Sequence, residues 1–203
     1  MYIYFDIGAN NGSDSIPLAI NNKDYFIYAF EPTPYLCTKI KEQIKTLDNY
    51  KLIEKAVSNY NGKAEFKIAG NYDWGCSSLC NFNDNLNETW CGRKDFNVTD
   101  TITVDVIKLK DFIINNNIDC INYLHCDVQG HDLEVLMGLE DKISIVNEGV
   151  IEMPTSHNNK LYKDQNYIVE DAIKFLENNN FIITNIISND CFNNEVNIYF
   201  KKK

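Results

Sequence analysis

The end of the sequence constrains the fold most. Two extended apolar runs, FIITNIIS at 181–188 and VNIYFKK at 196–202, are joined only by a short segment rich in turn-forming residues. Strands joined so briefly must pair antiparallel, because a parallel return needs a crossover of a dozen or more residues. Before this hairpin, apolar runs alternate with segments of helical spacing, which is typical of a parallel sheet covered by helices on both faces. We therefore predict an α/β fold with a mostly parallel sheet and an antiparallel C-terminal hairpin.

Hydrophobic periodicity assigns the individual elements. Strands are predicted at 2–7, 25–30, 51–57, 121–126 and 150–153, with two further strands at 63–68 and 101–106. Helices are predicted at 13–21, 34–47, 109–115 and 131–138, and another within the segment NYIVEDAIKFLENNN. Strands and helices thus alternate along most of the chain.

The length of the chain favours one domain. Its 203 residues suffice for a sizeable core but would make two domains a tight fit, so we expect one domain over 1–203. The longest apolar stretches fall far short of the roughly 20 residues that cross a bilayer, so no membrane span is predicted. Met1 leads directly into a strand-like segment with no signal-peptide pattern, and we expect a cytoplasmic protein.

Charge and cysteine content narrow the partners. The net charge of −10 argues against nucleic acid as a partner, because binding it needs a basic surface. Seven cysteines at irregular spacing are expected to be free thiols in a reducing compartment. Cys76, Cys80 and Cys91 lie in one stretch, but a structural zinc site needs four ligands and the fourth is missing. No metal site is predicted.

The stretch 69–100 has no clear periodicity and is too long for a simple connector. Loops of this size are often functional. Its aromatic residues could form a lid that contacts a sugar or a lipid, or a small satellite core; they are Tyr72, Trp74, Phe82, Trp90 and Phe96. The sequence leaves both interpretations open.

A glycine-rich turn, FDIGANNGSDS, follows the first strand. Gly8 and Gly12 permit tight backbone geometry and close approach of a ligand. A dinucleotide-binding turn would need glycine where Asn10 stands, and no phosphate-binding Gly-Lys-Ser/Thr motif is present. The turn therefore suits a nucleoside ligand without phosphates, although an ordinary strand-to-helix turn would look similar. Ser13 is the expected N-cap of the helix that follows.

Glu31 stands at the carboxyl end of the second strand, where doubly wound sheets bind ligands. A carboxylate there can accept hydrogen bonds from both hydroxyls of a ribose. Pro32 and Pro34 fix the chain just beyond it. Glu31 is thus the strongest single candidate for binding a cofactor, and a solvated glutamate at a strand end is the alternative.

Several segments together resemble the FkbM family of S-adenosylmethionine-dependent methyltransferases. In chain order they are FDIGANNGSDS, AFEPTPYLCTKI, KAVSNYNGKAEF, CSSL, ITVDVIKLKDFI, CDVQGHDLEVLMGL and VIEM. They span about three quarters of the chain, and their joint occurrence in family order is specific. The resemblance implies a class I methyltransferase fold, Rossmann-like, with seven strands in the order 3-2-1-4-5-7-6 and an antiparallel seventh strand.

The resemblance also implies residues that bind S-adenosyl-L-methionine. It assigns the methionine moiety to the glycine-rich turn, the ribose to the end of the second strand, and the adenine to the end of the third. The implied cofactor-binding residues are Asp6, Gly8, Asn10, Gly12, Glu31, Pro32, Ala56, Val57, Ser58 and Ser78. The stretch 56–58 could equally be an ordinary strand end.

Three residues are candidates for the base that takes a proton from a methyl acceptor. Asp127 is the first, at the end of the fourth strand and opposite the glycine-rich turn. His131 could serve at neutral pH, and Glu152 ends the fifth strand. Each has an alternative role. Asp127 could only orient the sulfonium or the turn, His131 could be a surface residue at the start of a helix, and Glu152 could cap the next loop.

Two departures from the family pattern bear on the acceptor. His125 stands where the family usually has lysine, and Gln129 replaces an acidic residue. The resemblance implies an O-methyltransferase acting on a hydroxyl of a small molecule, such as a sugar or glycan precursor, and hence a role in glycan modification. The alternative is a catalytically degenerate module that binds S-adenosylmethionine but has lost its acceptor chemistry through these two changes. The oligomeric state does not follow from the sequence.

Overall fold

The computed structural model describes residues 1–70, 74–86, 90 and 96–203. Tyr72 and Cys91 lie outside these residues, as does the side chain of Trp74, so their predicted roles stay predictions. The described strands are β1 (Tyr2–Ile7), β2 (Tyr25–Phe30), β3 (Tyr50–Ile53), β4 (Ala56–Ser58), β5 (Gly62–Ala69), β6 (Val98–Lys108), β7 (Ile121–Cys126), β8 (Val146–Pro154), β9 (Phe181–Ser188) and β10 (Glu195–Lys202).

The main sheet has seven strands in the order β3-β2-β1-β7-β8-β10-β9. The first five pair in parallel, and β10 is antiparallel to both of its neighbours. Numbered within this sheet alone, the order is 3-2-1-4-5-7-6, so the predicted topology and the antiparallel hairpin are confirmed. The carboxyl ends of β1, β2 and β7 meet at one edge, where the direction of the strand order reverses and ligands bind in such sheets.

A second sheet of three strands, β4-β6-β5, was not predicted. The sequence interpretation of 51–57 as one strand is wrong, because the chain turns at Glu54 and Lys55. The Lys55 amide donates to the Ile53 carbonyl (2.9 Å), which closes this turn. After this turn the chain continues into β4, which pairs in parallel with β6. β5 and β6 correspond to the two further strands that the sequence predicted, and they pair antiparallel.

The described helices are α1 (Ile16–Asn21), α2 (Pro34–Gln43), α3 (Leu109–Asn115), α4 (Asp132–Met137) and α5 (Val169–Asn178). The expected N-cap of α1, Ser13, is wrong. The helix is preceded by Ser15, whose hydroxyl bonds to the Tyr50 hydroxyl (2.9 Å) rather than to the helix. None of the helices in the described residues is long and apolar enough to cross a membrane.

The main sheet separates two apolar cores, and the side chains of β1 alternate between them. Phe5 and Ile7 belong to the larger core, and Tyr4 belongs to the smaller one. Asp6 must therefore point to the same side as Tyr4. There it meets His125, which is its register partner on β7.

Candidate active site

A cleft of about 720 Å³ lies at the carboxyl ends of the parallel strands. We call it the Glu31 cleft. Gly8 and Asn10 of the glycine-rich turn line it, as do Asp127 and Gln129 beyond the end of β7. The sheet topology alone brings these segments together, because parallel strands end at the same edge.

The glycine-rich turn is held close to β7. Gly8 has a φ of +87°, and a Cβ atom placed on it would lie 1.8 Å from the carbonyl oxygen of Asp127. Both the Gly8 and the Ala9 amides donate to the carbonyl of Phe30 at 3.0 and 2.9 Å. Glycine is therefore required at position 8 for sterics as well as for backbone conformation.

Glu31 is buried in the wall of this cleft, with 4% of its surface exposed. Its Oε2 accepts the Asn10 amide (2.9 Å), and its Oε1 accepts the Thr33 amide (2.7 Å). Burial raises the pKa of Glu31 to about 7, although both backbone hydrogen bonds favour the ionised form. Each carboxylate oxygen can accept a second hydrogen bond, so Glu31 can hold the turn and a ligand at the same time.

Six of the ten predicted cofactor residues line the Glu31 cleft: Gly8, Asn10, Glu31, Pro32, Ala56 and Val57. Apolar side chains near Ala56 and Val57 complete one wall; they are Phe30, Phe66 and Leu79. Lys55 and Ser77 also line this cleft and were not among the candidates from sequence. They lie in a turn and a loop, and neither is part of a periodic pattern.

The other four predicted cofactor residues do not line the cleft. Asp6 bonds to His125 (2.9 Å), and Gly12 packs against Ile16 at the start of α1. Each of the two serines bonds to a residue near the end of β7 instead. Ser58 Oγ lies 3.1 Å from His131 Nδ1, and the Ser78 hydroxyl donates to the carbonyl of Gln129. These contacts give all four residues structural partners.

A second cleft, of about 600 Å³, adjoins the first. We call it the Glu152 cleft. Gly75, Asp127 and Gln129 line both clefts, so these residues mark where the two meet. The wall of the Glu152 cleft combines polar and apolar groups. The polar residues are Glu152, Asn189, Asp190 and Glu195, and the apolar residues are Trp90, Phe96 and Leu161.

A chain of hydrogen-bonded side chains runs through this junction. Gln129 Nε2 donates both to Asp127 Oδ1 (2.6 Å) and to Glu152 Oε2 (3.0 Å). Asn189 Nδ2 donates to Glu152 Oε1. Both oxygens of Glu152 therefore have amide donors, whereas the hydrogen bond from Gln129 engages only one oxygen of Asp127.

Burial raises the pKa of both carboxylates at the junction. For Asp127, the Gln129 hydrogen bond and the charge of His125 act in the opposite direction and favour the ionised form. For Glu152, the charges of Asp127 and Glu195 add to the effect of burial and raise the pKa further. Asp127 is therefore the more readily ionised of the two.

The two histidines of this region have different surroundings. Burial lowers the pKa of His125, but the hydrogen bond and charge of Asp6 outweigh this effect and raise it to about 9. His125 is therefore protonated at neutral pH and forms an ion pair with Asp6. Burial lowers the pKa of His131, which bonds to Ser58 and is not among the residues that line either cleft.

The sequence interpretation missed the residues that the C-terminal hairpin adds to the Glu152 cleft. Asn189 and Asp190 come from the turn between β9 and β10, and Glu195 is the first residue of β10. The only feature of the sequence that could have pointed to them is the polar and acidic composition of this segment, which is also typical of ordinary turns. Within the residues that the structure describes, no group of three or more His, Cys, Asp or Glu side chains could hold a metal ion.

Comparison with known proteins points to one family. The family described as methyltransferase FkbM domain matches residues 6–183. A 2-O-methyltransferase, NoeI of Sinorhizobium fredii, is 26% identical over 147 residues, which cover 70% of this chain and 59% of that protein.

Solved structures share the fold. Fibrillarin from Aeropyrum pernix with natively bound S-adenosyl-L-methionine matches with a TM-score of 0.55 and 10% identity, over 98% of this chain and 65% of that one. TrmK from M. capricolum, in complex with S-adenosylhomocysteine, matches with a TM-score of 0.53 and 14% identity, over 100% and 62%. The chain thus spans less than two thirds of the length of each of these three proteins. The two structures show that the class I methyltransferase fold is shared.

Proposed function

Because the chain belongs to the FkbM methyltransferase family, we propose that it is an S-adenosylmethionine-dependent O-methyltransferase and that residues 1–203 act as one methyltransferase domain. The proposed acceptor is a hydroxyl group of a sugar or glycan precursor. The observation that carries this proposal is the junction of two clefts at Asp127 and Gln129. A methyl donor in one cleft and an acceptor in the other would face each other there.

The Glu31 cleft fits the donor. Glu31 can accept hydrogen bonds from the ribose hydroxyls, and the apolar wall formed by Phe30, Val57 and Leu79 suits an adenine ring. The donor, when bound, supplies a sulfonium methyl group that a nucleophile can displace in line. The protein's contribution is then chiefly to hold the reacting atoms in position, which is worth up to about 7 to 11 kcal/mol in favourable cases.

Among the three candidate bases, the geometry favours Asp127. It lines both clefts, and its only described hydrogen-bond donor, Gln129, engages Oδ1, which leaves Oδ2 for an acceptor hydroxyl. Glu152 has amide donors on both oxygens, so we propose that it holds Asn189 and Gln129 in place. His131 bonds to Ser58, and a role as the base is less well supported.

The composition of the Glu152 cleft supports a sugar acceptor. Phe96, which packs edge to face against the buried Trp90 at 5.5 Å, offers apolar surface to the C–H groups of a sugar ring. Glu152, Asn189 and Asp190 offer hydrogen bonds to hydroxyl groups. The name of the related 2-O-methyltransferase agrees with transfer to oxygen. The net charge of −10 supports a small acceptor rather than nucleic acid.

The degenerate module remains the second candidate, because His125 and Gln129 depart from the family pattern. His125 is engaged with Asp6 and is not among the residues that line either cleft. A degenerate module would bind the donor without transferring its methyl group. The cytoplasmic location stays a prediction in either case.

The test combines binding with transfer. Calorimetry of the purified protein with S-adenosylmethionine is expected to give saturable one-site binding, with no appreciable binding of NAD or ATP. Tritium-labelled donor is then incubated with methyl glycosides of common hexoses and 6-deoxyhexoses, a phenol, a simple alcohol and an RNA transcript. Label on a glycoside supports the proposal. Label on RNA contradicts the proposal that the acceptor is a sugar. Binding of the methyl donor with no transfer to any acceptor identifies the degenerate module.

A further inference from the structure

We propose that Gln129 is a positioning residue, whose side-chain amide fixes Asp127 and Glu152 as a pair at the junction of the two clefts. By bonding to Oδ1 of Asp127, it leaves Oδ2 directed to an acceptor proton. The inference rests on the proposed function only in treating Asp127 as the base. The pairing itself is a property of the protein without its ligands.

The first support is the hydrogen-bonding capacity of the amide. A glutamine NH₂ group is neutral and has two donors, and here the two carboxylates are 2.6 and 3.0 Å from the same Nε2 atom. The carboxylate end sets the amide orientation, because the Tyr162 hydroxyl lies 2.8 Å from both Oε1 and the Cys76 carbonyl oxygen and has one proton to donate. The reverse orientation would point Oε1 at Oδ1 of Asp127 and Oε2 of Glu152, and repulsion disfavours it when these groups are ionised.

The second support is the backbone at this position. Gln129 has a φ of +56°, which is uncommon for a residue with a side chain. Its carbonyl accepts the Ser78 hydroxyl, and Gly130 follows it with a φ of +102°. Such a conformation persists only where the surroundings hold it in place. The loop is thus built to present this side chain between the two carboxylates.

The third support is the charge around the pair. Asp127 is faced by His125 on β7, Asp6 on β1 and Asp14 before α1. Glu152 is faced by Asp127, by Glu195 on β10 and by Asp132 at the start of α4. Most of these groups are acidic, so a neutral double donor relieves repulsion that a third carboxylate at position 129 would increase.

The test measures the ionisation of Asp127 directly. Carbon-13 NMR follows the aspartate carboxyl signals against pH, and the Asp127 signal is assigned by its loss in Asp127→Asn. In Gln129→Glu, which keeps the shape of the side chain, the Asp127 midpoint is expected to rise by about one pH unit or more. An unchanged midpoint in the folded variant would overturn the proposal.

Asn189→Asp is the matched control. It also adds a carboxylate in the Glu152 cleft but leaves the contact between Gln129 and Asp127 intact. Its Asp127 midpoint is expected to move by less than half as much as that of Gln129→Glu. An equal rise in both variants would mean that any added charge has this effect, and Gln129 would have no special role.

Gln129→Asn decides the question if Gln129→Glu does not fold. Asparagine tolerates a positive φ, but its shorter side chain cannot reach both carboxylates. The Asp127 midpoint is expected to rise in this variant too, and an unchanged value counts against the proposal. Donor binding and methyl transfer are measured separately, so a shifted midpoint in a protein that transfers no methyl group would refute the proposed function and leave the positioning role intact.

Discussion

The affinity for S-adenosylmethionine should depend on pH through Glu31. The free protein holds this carboxyl buried, with a pKa raised from 4.5 to about 7. The ribose hydroxyls would donate hydrogen bonds to the carboxylate, so the methyl donor should bind the ionised form of Glu31 better. Binding therefore releases a proton, and affinity falls as the pH is lowered through 7.

The expected size of this pH effect follows from the pKa of Glu31. At pH 8 about nine tenths of Glu31 is ionised, whereas at pH 6 about one tenth is. The apparent dissociation constant scales inversely with the competent fraction, so it should be about tenfold larger at pH 6 than at pH 8. This corresponds to about 1.4 kcal/mol.

Calorimetry at half-unit steps between pH 5.5 and 8.5, for the wild type and for Glu31→Gln, measures this dependence. The variant lacks the titrating group and should show a flat profile apart from the titration of the donor itself. It also leaves one buried amide, of Asn10 or Thr33, without its acceptor, so it should unfold more easily by about 1 to 3 kcal/mol. Parallel pH profiles for the two proteins would refute the role of Glu31 in binding.

Two further predictions concern stability. Gly8→Ala should lower the free energy of unfolding by about 3 kcal/mol or more in a urea titration, because its Cβ would collide with the carbonyl of Asp127. Gly62→Ala, also at positive φ, should cost clearly less, because its Cβ would meet only Tyr60 Cδ2, at 3.9 Å. Equal costs would argue against the collision. The pairing of His125 with Asp6, which raises the His125 pKa from 6.5 to about 9, should stabilise the fold by about 3 kcal/mol below pH 6.5, and this contribution should be lost as the pH rises through 9. His125→Gln should therefore flatten the loss of stability between pH 6.5 and 9, and an unaltered pH profile would refute the ion pair.

Much of the fold was predictable because the residues at the strand ends mark where each strand stops. The bounds of β1, β2 and β7 agree with the predicted strands, since each is an apolar run closed by a turn or an acidic residue. β8 is longer than predicted. Its N-terminal end includes the polar residues Asn147 and Glu148, so the apolar run does not show where the strand begins. Pairing with β7 and β10 extends the strand over these residues.

The second sheet could not be predicted, because its formation depends on pairing distant in sequence. Nothing in LIEKAVS shows that the chain turns after Ile53 and that β4 joins β6 about fifty residues later. Apolar residues continue on both sides of the turn. Periodicity describes local conformation, and it does not show which strand is the partner.

The candidate site was predicted in part. Glu31 and the glycine-rich turn lie where the sequence placed them, because position relative to a strand end determines position relative to the sheet edge. Asp6 was assigned to the cofactor by family resemblance, but strand alternation turns its side chain toward His125. The contacts of Gln129 with Glu152 and Tyr162 join segments that are distant in sequence, so no local sequence pattern predicts them.

The central claim is methyl transfer at the junction of the two clefts, with Asp127 as the base. The most direct measurement is the single-turnover rate of transfer from tritium-labelled S-adenosylmethionine to the best acceptor of the panel, compared between the wild type, Asp127→Asn and His131→Ala. Asp127→Asn should lower the rate about 100-fold or more, a typical size for general base catalysis, with donor affinity changed much less, and His131→Ala should stay close to the wild type. Loss of transfer in His131→Ala with Asp127→Asn unaffected would contradict the account.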